Sequence, residues 1–80
     1  MEWIIKTAYE QNDRVWMPDG NGGWKKGRVR KIILFMADIT ESPEKAAYNA
    51  LNYHCEDIEG NRYVYHEKDI RKRTGQNPGQ

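Results

Sequence analysis

Five cations crowd into seven residues beside an indole: Lys25, Lys26, Arg28, Arg30 and Lys31 follow directly on Trp24, and Arg71, Lys72 and Arg73 form a second basic group further along. On an extended chain Lys26, Arg28 and Arg30 share one face, with Cα atoms about 6 to 7 Å apart. That interval is close to the spacing of phosphates along one nucleic-acid strand, so the stretch suits backbone contact. Trp24 or Tyr65, if exposed, would add a surface on which a base of a single strand stacks. The competing reading is that Lys and Arg on an outward strand face keep a sheet soluble and discourage edge pairing. The near-zero net charge of +1 favours that reading.

Other residue types with chemical potential are fewer. His54, Cys55 and His66 are the possible actors of nucleophilic or metal chemistry. Adjacent strand residues point to opposite faces, so His54 and Cys55 cannot act on each other. Across the hairpin His66 would face Cys55 or His54, according to whether the loop has two or three residues; a loop centred on Gly60 would set the two histidines opposite each other, but two imidazoles without a third ligand make no transition-metal site. Glu56, Asp57 and Glu59 supply too few oxygens for a hard cation and read as a solvated turn. No glycine-rich phosphate loop follows a strand and opens a helix, and no carboxylate pair stands in a recognisable site. The expectation is a chain that is not an enzyme, with no cofactor and no metal.

The elements that must position these residues are short. Arg14-Val15-Trp16-Met17 reads as a β run stopped by Pro18-Asp19-Gly20-Asn21-Gly22-Gly23, a strong hairpin signal. Trp24 to Ala37 reads as a long strand, with Gly27 the expected place for a bulge or bend. Its end, Ile32 to Met36, is apolar on both faces and calls for a cover. Ser42 offers an N-cap, Pro43 a first helical residue and Glu44 a first-turn acid. Ala46, Ala47, Ala50 and Leu51 then line one side of a helix of about two turns, too short to stand without the sheet. Asn52 to Ile58 and Arg62 to His66 form a second hairpin across Glu59-Gly60-Asn61, and Lys68-Asp69 turns into a last strand, Ile70 to Lys72. Trp3, Ile4, Ile5, Thr7 and Tyr9 favour an extended N-terminal segment by residue type, although Ile4, Ile5, Ala8 and Tyr9 would also fit one helical face.

The string NDRVWMPDGNGGWKKGRVRKI followed by YHCEDIEGNRYVYHEKDI resembles a Tudor domain, one of the SH3-like small barrels. The resemblance lies in the order of parts: Asp13-Arg14-Val15-Trp16, the Asp19-Gly20 turn, Trp24 with Gly27-Arg28-Val29, the acidic hairpin Glu56 to Gly60, and Lys68-Asp69-Ile70. It covers about two thirds of the chain and departs at Asp38 to Leu51, where the family usually has a tight turn. It implies an antiparallel barrel of four to five strands with one short helix inserted at 43–51. It also raises the aromatic cage with which Tudor domains hold methylated cations. Trp24 and Tyr63 stand at two cage positions, but Met17 and Cys55 stand at the others, so half of the cage is not aromatic.

Composition bounds the rest. Eighty residues make one domain, expected over 1–73 with a disordered tail at 74–80. A chain of this size buries only about 60% of its unfolded surface. Three Trp and five Tyr concentrate apolar area at few positions. The longest apolar run, Ile32 to Ala37, is six residues and no basic leader precedes an apolar stretch, so neither a membrane span nor a signal peptide is expected. A single cysteine suits a reducing, cytoplasmic setting. The sequence therefore predicts a small non-catalytic accessory protein that binds nucleic acid, or a complex containing it, through Trp24, Lys25, Lys26, Arg28, Arg30, Arg71 and Arg73. The alternative is a protein-interaction adaptor or inhibitor anchored by Trp16, Tyr63 and Tyr65.

Overall fold

The computed structural model describes residues 5–35, 40 and 43–78. Five antiparallel strands and one short helix make the mostly β architecture expected: β1 (Arg14–Pro18), β2 (Trp24–Leu34), α1 (Pro43–Ala50), β3 (Leu51–Asp57), β4 (Arg62–Tyr65) and β5 (Arg71–Lys72), with a 3-10 turn at Glu67–Asp69. The strands form one sheet in the order β4-β3-β2-β1-β5. Among the described residues β4 and β5 do not pair, so the ladder stays open. No described helix is long and apolar enough to cross a membrane. The expected strand start at Trp3 and Ile4, the end of the long strand at Met36 and Ala37, and the Ser42 cap lie outside the described residues.

Both hairpins are closed by the same device. In the first, Asp19 Oδ1 accepts the backbone N–H groups of Asn21 and Gly23 at 2.7 and 3.0 Å. In the second, Asp57 Oδ1 accepts those of Glu59 and Asn61, each at 2.9 Å. An aspartate that replaces a missing ladder partner lets the chain reverse with its donors satisfied. Gly20, Gly22 and Gly60 supply the left-handed backbone that each reversal needs, at φ 86°, 86° and 88°.

One face of the sheet holds the core. Val15, Met17, Val29, Leu51, Tyr53, Cys55 and Ile70 are buried together with Tyr9. Tyr9 does not sit on a strand, because residues 5–10 form none. The Ala8 N–H goes to the Tyr53 hydroxyl at 3.0 Å instead of to a strand partner. The Tyr9 hydroxyl donates to the Ile70 carbonyl at 3.2 Å, and its ring meets Tyr53 edge-on at 5.4 Å. The expected N-terminal extended strand is thus replaced in its described part by a cap pinned through tyrosine hydroxyls.

The bulge lies at Arg30, not at Gly27. Gly27 keeps register with Val15 on one side and Asp57 on the other, and the slip comes between Val29 and Lys31. Gly27 is there for a different reason: a Cβ on it would collide with the Met17 side chain. Leu51, expected to end the helix, opens β3. The helix touches β2 near its end, where the Phe35 N–H donates to the Ala50 carbonyl at 3.1 Å. It does not cover the second apolar face as expected, since Ile33 and Phe35 remain exposed.

Candidate functional site

Strand register decides which cations stand together. Arg14 pairs with Arg28, Arg28 pairs with Glu56, and Glu56 pairs with Arg62. The Arg73 N–H donates to the Arg14 carbonyl at 3.0 Å, so Arg73 extends the same row past β5. Directly paired residues in a sheet point to one face. The result is a row running Arg73, Arg14, Arg28, Glu56, Arg62 across the face opposite the core. Next to it runs a second row, Arg71, Trp16, Lys26.

Neutralisation along these rows is uneven. Glu56 Oε2 takes Arg30 Nε at 3.2 Å and Arg62 at 3.5 Å. Arg30 also reaches the Asn12 side-chain oxygen at 3.3 Å. Among the described residues Arg14, Lys26, Arg28 and Arg73 have no acidic partner. Burial, then the Arg14 and Arg28 charges, push the Arg73 guanidinium below its ordinary range. The site is thus a patch of like charge held by the sheet.

Trp16 lies on this outer face and is nevertheless buried, only 7% exposed. The Arg73 guanidinium stands 5.8 Å from its ring. Two donors here, Trp16 Nε1 and Arg73 Nε, are buried without a hydrogen-bond partner among the described residues. An open groove of about 660 Å³ is lined by Arg14, Trp16, Trp24, Lys25, Lys26 and Arg73 together with Thr74 to Asn77. Asn77 Nδ2 donates to the Trp24 carbonyl at 3.2 Å. Trp24 is half-buried, and Arg71 sits 5.4 Å over its ring while donating to the carbonyls of Lys68 and Ile70 at 2.7 and 2.9 Å. A smaller recess of about 270 Å³ between Arg28, Arg30, Asp57, Ile58 and Arg73 adjoins it.

Lys25 departs from its neighbours. Its register partner is Met17, and its ammonium lies 2.8 Å from the Tyr63 hydroxyl and 3.2 Å from Asp57 Oδ2. It also sits 4.1 Å over the Tyr63 ring. The Tyr63 hydroxyl and then Asp57 outweigh desolvation and raise the Lys25 pKa. Desolvation pulls the Asp57 carboxyl up, but the Asn61 N–H, Lys25, the Asn61 amide and the Glu59 N–H together hold it down at about 2. The acidic hairpin is therefore occupied with its own turn and with Lys25.

The remaining candidates are dispersed. Tyr63 and Tyr65 stack at 6.1 Å and pack half-buried against the core. Met17 and Cys55, two of the four cage positions, are fully buried. Burial pushes the Cys55 thiol up to about 11, away from the reactive thiolate. His54 faces Val64 and not His66, because the hairpin is centred on Glu59 and not on Gly60, with the Asp57 N–H donating to the Asn61 carbonyl at 3.0 Å. His66 instead caps the 3-10 turn: Nδ1 accepts the Lys68 N–H at 3.3 Å, and Nε2 lies 3.0 Å from the Tyr48 carbonyl. A neutral ring protonated at Nε2 satisfies both contacts. Among the described residues no three His, Cys, Asp or Glu side chains are placed to share a metal ion.

The structure thus brings together Trp24, Lys26, Arg28, Arg71 and Arg73, adds Arg30 through Glu56, and engages the Lys25 ammonium with Asp57 and Tyr63 although Lys25 still lines the groove. It adds Arg14 and Trp16, which sequence reasoning did not place in the basic site. The signal for Arg14 was present: a hairpin centred on Asn21 sets residue 14 opposite residue 28. The chain matches no protein-family model, no curated protein and no solved structure.

Proposed function

We propose that the protein is a small non-catalytic module that binds nucleic acid through the outer face of β1 and β2. The observation that carries this reading is the set Arg14, Lys26, Arg28 and Arg73, side by side on one face with no acidic partner among the described residues. Like charges directly opposite each other across a ladder destabilise a sheet. A polyanion laid over them converts that repulsion into attraction and releases its counterions. Trp24 lies beside the cations with its ring steadied by Arg71, which suits an apolar contact in the same site.

The Tudor-like, SH3-like barrel remains our reading of the frame. Its support is the order of parts: the Asp19-Gly20 turn, the hairpin at Asp57–Gly60, and the Lys68-Asp69 turn that returns β5 to β1. Methylated-cation reading is not part of the proposal, because two cage positions are core residues and Lys25 already occupies the Tyr63 ring. The adaptor reading has less support. Trp16 is buried, and Tyr63 and Tyr65 stack on each other against the core.

Fluorescence anisotropy at low ionic strength against single- and double-stranded DNA and RNA tests the proposal. Four cations give an expected slope of log affinity against log salt of about −3. Absence of binding to all four probes at low salt overturns it.

A further inference from the structure

The groove beside the arginine row is lined by Arg14, Lys26 and Arg73 and by the segment Thr74 to Asn77, which is tied to Trp24 by the Asn77 amide. The cations Arg14, Lys26, Arg28 and Arg73 have no acidic partner among the described residues, and the Trp24 indole lies beside them. Along β2, Arg28, Lys26 and Trp24 follow at every second residue, so Arg28 and Trp24 lie about 13 Å apart with Lys26 midway.

Resting on the nucleic-acid reading above, we infer that the groove takes a single strand: a phosphodiester seats on Arg73, Arg14 and Arg28, the next lies at Lys26, and a base lies against Trp24. Bases in a duplex stack on one another and offer only their edges to a protein. An indole set in a groove lined by cations and a chain segment meets a base face only when that base is unstacked. The Trp24 ring is also preorganised. Arg71 holds it at 5.4 Å and is itself fixed by two backbone carbonyls, so little side-chain freedom is lost when a base arrives.

The test compares labelled oligothymidylate and oligouridylate of about 12 nucleotides, in the size range a small groove covers, with a duplex of the same length. Anisotropy and quenching of Trp fluorescence are read for the wild type, Trp24→Leu and Trp24→Phe, with circular dichroism to show that each variant is folded. The expected result is single-strand binding tighter than duplex binding, which Trp24→Leu weakens about tenfold or more and Trp24→Phe largely restores. Equal affinity for duplex and single strand, unmoved by Trp24→Leu, overturns the single-strand inference and leaves the nucleic-acid reading standing. Binding to none of the probes overturns both. If Trp24→Leu fails to fold, Trp24→Phe and the quenching of the wild type decide: an oligonucleotide that binds without quenching overturns the inference.

Discussion

Lys25 and Arg28 are three residues apart on β2, point to opposite faces, and have contrasting surroundings. Lys25 has a carboxylate at 3.2 Å, a hydroxyl at 2.8 Å and an aromatic face at 4.1 Å. Arg28 stands between Arg14 and a glutamate engaged by Arg30 and Arg62. The first cation is consumed by the fold, tying the acidic hairpin to β2. The second is held next to a like charge by register alone. The contrast teaches that neither the number of cations in a run nor their spacing identifies an interface. Which of them remain without an acid after folding depends on what strand pairing brings opposite each one, and it is on those that the proposal rests.

Four experiments break or sharpen this comparison. The largest effect is expected on binding: replacing Arg14, Arg28 and Arg73 by Gln should lower the salt slope by about 2 to 3 and reduce low-salt affinity about 100-fold or more. Lys25→Gln should leave the slope unchanged. Equal losses in the two variants, measured by anisotropy titrations across a salt series, would erase the distinction between the faces.

Next comes Gly27→Val, which places a side chain against Met17 and should cost about 1 to 3 kcal/mol, read by urea denaturation. A neutral result would mean that the close β1–β2 approach beneath both regions is softer than the packing indicates.

Asp57 supplies the third. Its folded pKa of about 2 lies below the ordinary aspartate value of about 3.9. A depressed carboxylate stabilises the fold above its unfolded pKa, and that contribution is lost as the carboxyl protonates. Thermal stability should therefore fall as pH drops from about 4 toward 2, and Asp57→Asn should be less stable at neutral pH with a shallower acid limb. Melting curves that lose stability over the same window to the same extent in both proteins would show that the Lys25 face is not held together by this carboxylate.

The smallest effect has the opposite sign. Removing one charge of the Arg14 and Arg28 pair with Arg28→Gln should raise stability by about 0.2 to 1 kcal/mol. A loss of stability instead would mean that Arg28 is structural, and the contrast with Lys25 would collapse.

Much of the local structure was legible in the residues. The turn at Pro18 to Gly23, the short helix from Pro43 and the hairpin around Gly60 each carry their own chemistry: glycines for left-handed backbone, an aspartate for orphan donors, a proline for the first helical turn. Errors came where distant groups compete. Glycine often marks a bulge or bend, but Gly27 makes room for Met17, and the bulge sits at Arg30. Trp16 was read as an anchor by type, yet Arg73 lies over it from 57 positions away in the chain. The histidine pairing fails because the hairpin is centred on Glu59, one residue before Gly60, which moves every cross-strand partner by two.

The sequence by itself determined that the chain makes a mostly β fold with two tight hairpins and a basic β2, because turn chemistry and strand alternation act over a few residues. Only the tertiary structure decided which cations stand together without an acidic partner among the described residues. It withdrew Lys25 toward Asp57 and Tyr63, assigned Glu56 to Arg30 and Arg62, and set Arg14 and Arg73 beside Arg28. The reason is that charge neutralisation falls off over a few ångströms, and which groups come that close is settled by pairing strands that are far apart in the chain.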